Sequence, residues 1–311
     1  EAVESENGYD ATMQELVRAL RYAQTRSETP FIALKVSGLG SFDILAKRSE
    51  GALLSHEQKQ FDRIKQRLEH ICSQAVGGRA AILIDAEESW IQPAIDELAE
   101  TMICKYNKEV AIIYTTAQLY RKDRLAYVKH LYELARAKGV IPGVKIVRGA
   151  YLEKEAQRAR KLNYPNPLHV VKAHTDNDYD LALQFALERL DTFGLCVGTH
   201  NEASTLLATK LALEQDYLPN HPNLSFAQLY GMSDHISFNL AQHGFRVAKY
   251  LPYGPLESVL PYLFRRAQEN TSIAGQTGRE LRLIELELER RKLLPPAGRD
   301  KFVFSQSQEA T

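Results

Sequence analysis

The sequence predicts an α/β barrel of parallel strands, and three observations carry that prediction. Short apolar runs alternate with amphipathic stretches of helical spacing along most of the chain. The runs are nearly continuous in Ile, Val, Leu and Ala, which is typical of strands covered on both faces. The 311 residues contain no Gly-, Ser- or Pro-rich linker, and this length suits one closed barrel of about eight βα units. We therefore expect a single barrel domain over residues 1–311.

Seven buried parallel strands are predicted, one for each apolar run. They cover residues 31–37, 80–86, 110–116, 143–149, 195–200, 226–231 and 246–251. An eighth strand would have to precede the first helix, expected near Asp10, and only Ala2 and Val3 are apolar there. We therefore expect residues 1–4 to be the tail of a truncated first strand. A separate segment would then complete the barrel, because open strand edges leave backbone groups unpaired.

Amphipathic stretches between these runs predict the outer helices. Ser55 can cap one helix with Gln58 at the capping-box position, Pro93 suits the first turn of the next, and Gly139 ends a third. The apolar stripes of the helices contain Phe61, Ile64, Leu68 and Ile71; Ile95, Leu98 and Met102; Leu125, Val128, Leu131, Leu134 and Ala135; and Tyr179, Leu183, Ala186, Leu187 and Leu190. Two more helices are expected at 256–270 and 278–292, and a frayed tail at 294–311.

Composition and charge exclude several protein classes. The 39 basic residues balance 39 acidic ones, whereas nucleic-acid binders usually carry a basic excess. Cys72, Cys104 and Cys196 lack metal-site spacing and are expected to be reduced, buried thiols of a reducing compartment. No run approaches the roughly 18 apolar residues of a membrane span. The absence of GxGxxG and GxxxxGK[ST] argues against an open nucleotide-binding sheet.

Polar residues at the carboxyl ends of the predicted strands are the candidate active site, since barrel enzymes place their chemistry there. These residues are Lys35, Asp85, Glu87, Glu88, Thr115, Thr116, Lys145, Arg148, Tyr151, Thr199, His200, Asn201 and Tyr250. The helix after the last strand adds Tyr262, Arg265, Arg266 and Glu269 on one face. The two arginines and Lys35 would form a clamp for a small carboxylate, with Asp85 holding one of the cations.

The residue pattern leaves other chemistries open. Asp85, Glu87 and His200 would bind a metal if they converged, although no HxH or HExxH motif supports this. Lys35 or Lys145 could form a Schiff base in a barrel lyase. The turn at 198–201 can bind phosphate. A non-enzymatic barrel that binds an amino acid or a partner enzyme is a further alternative.

Seven segments, in order along the chain, resemble the proline dehydrogenase family. They are Ala-Leu-Lys-Val-Ser (33–37), Ile-Asp-Ala-Glu (84–87), Lys-Ile-Val-Arg-Gly-Ala-Tyr (145–151), Gly-Thr-His-Asn (198–201), Gln-Leu-Tyr-Gly-Met (228–232), Tyr-Leu-Pro-Tyr-Gly (250–254), and Tyr-Leu-Phe-Arg-Arg with Glu-Asn (262–270). Gly-Gln-Thr-Gly-Arg-Glu-Leu (275–281) is similar to the monofunctional bacterial members. The resemblance implies a distorted (β/α)8 barrel of the TIM type, with its last helix over the mouth.

The same resemblance implies the activity. Family members bind FAD non-covalently and oxidise L-proline to pyrroline-5-carboxylate by hydride transfer to the flavin. The electrons then pass to a membrane quinone. The resemblance thus implies a cytoplasmic protein in peripheral contact with the inner membrane, or with the mitochondrial inner membrane in a eukaryote.

The resemblance also implies a role for each matching residue. Lys35, Arg265 and Arg266 would bind the substrate carboxylate, and Asp85 and Glu269 would support that cluster. The proline ring would contact Leu229, Tyr250 and Tyr262, with Tyr151 near both flavin and substrate. FAD would be held by Thr116, Lys145, Val147, Arg148, Gly149, Thr199, His200 and Asn201. At the position matched to Thr116 several bacterial members have Gln. Tyr250 favours proline, since members that prefer hydroxyproline carry a smaller residue there.

Overall fold

A computed structural model of the chain describes residues 4–254, 256–257, 259–260, 263–264 and 285–292. The chain divides into two compact units, Glu1–Leu251 and Pro252–Thr311. Every strand among the described residues lies in the first unit. In the second unit, residues 256–257, 259–260, 263–264 and 285–292 are helical, and the remainder of the two predicted helices lies outside the described residues, as does the predicted tail at 294–311.

Seven parallel strands form one sheet in which each strand pairs with the next along the chain, in a nearly closed barrel. The strands are β1 (Phe31–Leu34), β2 (Ala81–Ile84), β3 (Ile113–Gln118), β4 (Gly143–Val147), β5 (Gly194–Gly198), β6 (Leu224–Leu229) and β7 (Val247–Tyr250). The seven predicted strands and the α/β barrel class are confirmed. The third strand begins later than expected, since Val110 is 57% exposed and lies before the sheet. The expected strand remnant at residues 2–3 lies outside the described residues.

Helices surround the sheet in the order that the amphipathic stretches predict. They are α1 (Glu6–Gln24), α2 (Phe42–Glu50), α3 (Ser55–Ser73), α4 (Gln92–Tyr106), α5 (Arg124–Lys138), α6 (Leu152–Leu162), α7 (Lys172–Leu187), α8 (Glu202–Glu214) and α9 (Asp234–Gln242). Pro93 lies in the first turn of α4, and Gly139 ends α5 at φ 63°. None of the helices in the described part of the chain is both long and apolar enough to span a bilayer.

Two local expectations were wrong. Ser55 does not cap α3, because Leu54 holds the cap position and the Glu57 carboxylate accepts from the Leu54 N–H at 3.0 Å. Cys104 is only partly buried, whereas Cys72 and Cys196 are buried as expected. All three thiols are free.

Alternate residues of the strands place the candidate side chains inside the barrel. A small buried cluster of Ala81, Leu83, Tyr114 and Cys196 fills the barrel interior, apart from the large core between strands and helices. Because side chains two residues apart in a strand share a face, this inner face continues from Leu83 to Asp85. Residues that pair across two parallel strands also share a face. The register pairs Thr116 with Lys145 and Leu229 with Tyr250, so we place these four side chains on the inner face as well.

Candidate active site

Lys35 and Tyr151 meet at the mouth of the barrel, after β1 and β4. The Lys35 Nζ donates to the Tyr151 Oη at 3.3 Å and lies 5.9 Å from the centre of the Tyr151 ring. Lys35 is exposed at the mouth, and partial desolvation of its ammonium opposes the charge. The neighbouring Tyr151, Glu87 and Asp85 outweigh that desolvation and raise the pKa of Lys35. Burial also raises the pKa of Tyr151, although Lys35 acts against it. Lys35 is therefore a cation at neutral pH and Tyr151 a neutral phenol.

Asp85 joins β2 to β4 and β7. Its Oδ1 accepts from the Lys145 Nζ in an ion pair whose side chains are 15% and 9% exposed. Its Oδ2 accepts from the Tyr250 Oη at 3.2 Å. The Lys145 ammonium also lies 5.8 Å from the centre of the Tyr250 ring. The direct partners of Asp85 are thus Lys145 and Tyr250, while Lys35 feels its charge at longer range.

Glu87 fixes the backbone that follows Lys35. Its carboxylate accepts from the Ser37 N–H at 3.0 Å and from the Ser37 hydroxyl, and the residue is 3% exposed. Ser37 lies in the short 3-10 turn Val36–Gly38, directly after Lys35. Burial raises the pKa of Glu87 although Ser37 and Lys35 lower it. Two bonds to one serine orient both the carboxylate and the turn.

Gln118, at the end of β3, is a residue that the sequence analysis missed. Its Nε2 donates to the Glu87 carbonyl oxygen at 2.8 Å, and its Oε1 accepts from the Ala150 N–H at 3.4 Å. The side chain thus connects the segments after β2 and β4. It shares an inner face with Thr116, so period-two alternation could have found it. The Thr116 hydroxyl donates to the Ile84 carbonyl oxygen at 2.8 Å, and its contact with a flavin stays a prediction.

Arg148 anchors a polar cluster at the ends of β4 and β5. Its guanidinium donates to Asp176 at 2.6 Å, to the Thr199 hydroxyl at 3.0 Å and to the Ser204 hydroxyl at 3.0 Å. Burial favours the neutral acid at Asp176, but bonds from Lys172 and Arg148 outweigh it and lower its pKa. The cluster holds the Arg148 guanidinium between Asp176 and two hydroxyl groups, and the Ser204 hydroxyl donates in turn to Asp180 at 2.7 Å.

Asn201 and His200 lie between the end of β5 and the start of α8, next to the Arg148 cluster. The Asn201 side chain caps α8, with its Oδ1 accepting from the Ser204 N–H at 2.9 Å. His200 joins β5 to β6, since its Nδ1 lies 3.0 Å from the Ser233 hydroxyl and its Nε2 accepts from the Leu229 N–H at 3.4 Å. The start of α8 therefore lies beside Arg148, and a helix N-terminus next to a guanidinium suits an anion.

Gly149 makes a sharp bend after Val147 and Arg148. Its φ of 133° is a conformation that only glycine adopts readily, and a Cβ there would lie 2.5 Å from the Tyr120 ring. Gly149 and Ala150 are exposed, whereas Val147 is half-buried. The end of β4 therefore presents backbone rather than side chains at the barrel mouth.

The structure brings together most of the predicted residues of the first unit. Leu229 and Tyr250 are half-buried and paired across β6 and β7. Four predicted residues lie outside the described residues, namely Tyr262, Arg265, Arg266 and Glu269. Their part in the site stays a prediction.

The alternative chemistries find little support in this geometry. The three proposed metal ligands each have a different partner: Asp85 is ion-paired with Lys145, Glu87 accepts from Ser37, and His200 contacts Ser233. Across the described residues, no three His, Cys, Asp or Glu side chains come together as a metal site requires. A Schiff base needs a neutral amine, and the raised pKa of Lys35 works against it.

A sequence profile described as "Proline dehydrogenase" matches residues 1–279. The chain belongs to the proline dehydrogenase family. A carbapenem antibiotics biosynthesis protein, CarD, of Pectobacterium carotovorum is 36% identical over 297 residues, which cover 93% of this chain and 76% of that protein. Mitochondrial proline dehydrogenase 1 of Homo sapiens is 40% identical over 238 residues.

The family profile confirms the predicted resemblance, and solved structures share the fold. Proline utilization A (PutA) of Bdellovibrio bacteriovorus superposes with a TM-score of 0.76 at 23% identity, over 88% of this chain, and shares the barrel fold. This chain spans 40% of the human relative, matched over 76% of its own residues, and 29% of the PutA chain. The relatives are therefore longer proteins that contain a region similar to this one.

Proposed function

We propose that this chain oxidises L-proline to pyrroline-5-carboxylate as an FAD-dependent dehydrogenase. The observation that carries the proposal is the cationic Lys35 held against Tyr151, beside the Asp85 network, at the carboxyl ends of the strands. The family and the names of its relatives point to the same substrate, proline. Barrel enzymes place their chemistry at this end of the strands.

The residues present fit a flavin. Arg148, with the Thr199 hydroxyl and the start of α8, offers the donor set that a phosphate accepts. Gly149 leaves exposed backbone that could lie against a flat ring, and the Lys145 ammonium would suit an electron-rich ring. We propose that Thr116, Val147, His200 and Asn201 complete the site. When bound, FAD supplies the acceptor for the hydride of the substrate.

The substrate would be held by charge and by shape. The Lys35 ammonium would bind the proline carboxylate, and Arg265 and Arg266, supported by Glu269, would complete the clamp. Leu229, Tyr250 and Tyr262 would enclose the ring and exclude water. Holding the carboxylate at one point and the ring at another orients the reacting carbon, which contributes to catalysis without a chemical step by the protein. Tyr151 accepts a hydrogen bond from Lys35 and, kept protonated by its raised pKa, can donate its own proton to a second acceptor. We assign no general base.

The setting of the reaction is part of the proposal. The human relative is named as mitochondrial. For this chain we propose one barrel domain over 1–311 that transfers its electrons to a membrane quinone through peripheral contact. Its place would be the cytoplasmic side of the inner membrane, or the mitochondrial inner membrane in a eukaryote.

An absorbance spectrum of the full chain, with and without L-proline, tests the proposal. We expect a yellow protein whose flavin absorbance is bleached by proline under anaerobic conditions and restored by a soluble quinone. Lys35→Met should retain the colour and lose bleaching at low proline concentration. A protein that binds no added FAD, a lysine adduct trapped by borohydride, or stoichiometric metal in a colourless protein would overturn the proposal.

A further inference from the structure

Helix α6 begins directly after Tyr151 and is held by very little apolar contact. Of its 11 residues only Glu155 and Ala159 are buried. The apolar residues at its two ends, Leu152 and Leu162, are 59% and 51% exposed. Most helices in proteins are stabilised by packing of an apolar face. The position of α6 must therefore depend mainly on polar contacts.

The most deeply buried polar side chain of α6 is that of Glu155, a residue that is 0% exposed. Its carboxylate accepts from the Ser89 N–H at 2.6 Å and from the Ser89 hydroxyl at 2.6 Å. Ser89 lies between β2 and α4, in the segment that contains Glu87. Two charge-assisted bonds to one residue fix the orientation of the carboxylate as well as its distance.

Glu155 is linked to Tyr151 through the backbone. The Glu155 N–H donates to the Tyr151 carbonyl oxygen at 2.9 Å, in the first turn of α6. On the other side of Tyr151, the bend at Gly149 and the Gln118 contact with Ala150 hold the end of β4. The two bonds from Ser89 to Glu155, called the Ser89 clamp below, are therefore the buried contact that holds the chain on the helix side of Tyr151.

The other contacts of α6 are nearer the surface. Lys154 pairs with Glu88, and their side chains are 58% and 7% exposed. Arg158 lies over the Trp90 ring at 4.5 Å. Water and salt screen the exposed ammonium of Lys154, which limits the contribution of this pair to stability. These contacts reinforce the Ser89 clamp without replacing it.

We propose that Glu155 is a positioning residue whose Ser89 clamp sets how far Tyr151 reaches toward Lys35. The kinetic consequence of this role rests on the function proposed above. The charge strengthens these two bonds, but the position of α6 depends on the reach of the side chain. A Gln at 155 can accept the Ser89 N–H with its oxygen and donate to the Ser89 hydroxyl with its amide. An Asp keeps the charge but is one methylene too short to reach unless α6 moves.

The test compares E155Q, E155D and E155A in the full chain with FAD. Crystal structures should show the Lys35 Nζ and Tyr151 Oη in contact in E155Q and separated in E155D and E155A. For proline, kcat/KM should fall about tenfold or more in E155D and E155A, since an error of about 1 Å in position can reduce rates by two orders of magnitude. The conservative E155Q should restore the contact and most of the rate that E155D loses.

Glu57 provides the matched control. It is also a buried carboxylate, 6% exposed, that accepts a backbone N–H, but it lies at the start of α3. E57D should lower thermal stability as E155D does and leave proline kinetics unchanged. If E155A does not fold, Ser89→Ala removes the hydroxyl donor alone and should give an intermediate loss of kcat/KM.

Two results would overturn the positioning role: an unchanged Lys35–Tyr151 contact and unchanged kinetics in E155D, or an E155Q as impaired as E155A. The two proposals fail separately. A wild-type chain that does not oxidise proline contradicts the proposed function, whereas the separation of Lys35 from Tyr151 in the variant crystals still decides the role of Glu155.

Discussion

Asp85 and Lys145, 60 positions apart in the sequence, form an ion pair inside the barrel between the ends of β2 and β4. Their side chains are 15% and 9% exposed, so both charges are largely removed from water. Tyr250 of β7 donates to the second oxygen of Asp85. Such a pair is costly to desolvate, and losing either partner leaves an unpaired charge in the interior.

Asp85→Ala should therefore lower the free energy of unfolding by about 3–5 kcal/mol, the usual cost of breaking a buried pair. Urea unfolding measures this change. The double variant Asp85→Ala/Lys145→Met should lose less than Asp85→Ala alone, because it leaves no unpaired charge. Glu97→Ala removes a 45%-exposed partner of Arg48 and should change stability by no more than about 1 kcal/mol. Equal losses in the Asp85 and Glu97 variants would contradict the buried pair.

Gly149→Ala should weaken both folding and FAD retention. The residue has φ 133°, and the new Cβ would meet the Tyr120 ring at 2.5 Å. Strain in this region costs about 1–3 kcal/mol before the clash is added. Gly77→Ala is the control, since its φ is 70° and a Cβ there meets nothing within 4 Å. We expect Gly77→Ala to keep FAD and Gly149→Ala to release it, as measured by flavin content after gel filtration.

Much of the fold could be predicted because it depends on local pattern. Each apolar run contains a strand. Because side chains alternate between the two faces of a strand, Asp85 lies on the same inner face as Leu83. The start of α3 was less predictable, since Leu54 holds the cap position and the Glu57 carboxylate accepts from its N–H.

The partners within the site could not be predicted from spacing. Asp85 was expected to support the carboxylate clamp, yet its direct partners are Lys145 and Tyr250, on strands far apart in the sequence. The Ser89 clamp of Glu155 joins residues 66 positions apart, and nothing local distinguishes this Glu from the charged residues around it. Such pairs form only where the ends of strands distant in sequence lie side by side, and that arrangement is set by the assembled barrel.

Glu87 should make stability depend on pH in a particular direction. Burial raises its pKa above that of the unfolded chain, near 4.3. The folded state therefore binds this proton more tightly, and the Glu87 contribution to stability decreases as pH rises from about 4 through the raised pKa. Glu87→Gln can keep both bonds to Ser37 and carries no charge. It should be more stable than wild type at about pH 7, and the difference should vanish near pH 4.

Glu57→Gln should show the opposite sign. Bonds from Lys47 and the Leu54 N–H lower the Glu57 pKa, so its contribution to stability is present above the unfolded pKa and is lost as pH falls through the folded value. Glu57→Gln should thus be less stable than wild type at neutral pH and approach it in acid. Urea unfolding of both variants across this range measures the two trends. Parallel trends in the two variants would show that burial does not control the Glu87 proton.

Lys35→Met should raise the KM for L-proline about tenfold or more and leave the flavin content unchanged. The raised pKa keeps Lys35 cationic, and a hydrogen bond to a charged group contributes about 1.5–3 kcal/mol. Arg265→Ala and Arg266→Ala are expected to raise KM in the same way, because each leaves the desolvated carboxylate short of a partner. Lys35→Arg, which keeps the charge, should lie between wild type and Lys35→Met. Steady-state kinetics with a soluble quinone measures all four variants, and an unchanged KM in Lys35→Met would remove Lys35 from the substrate site.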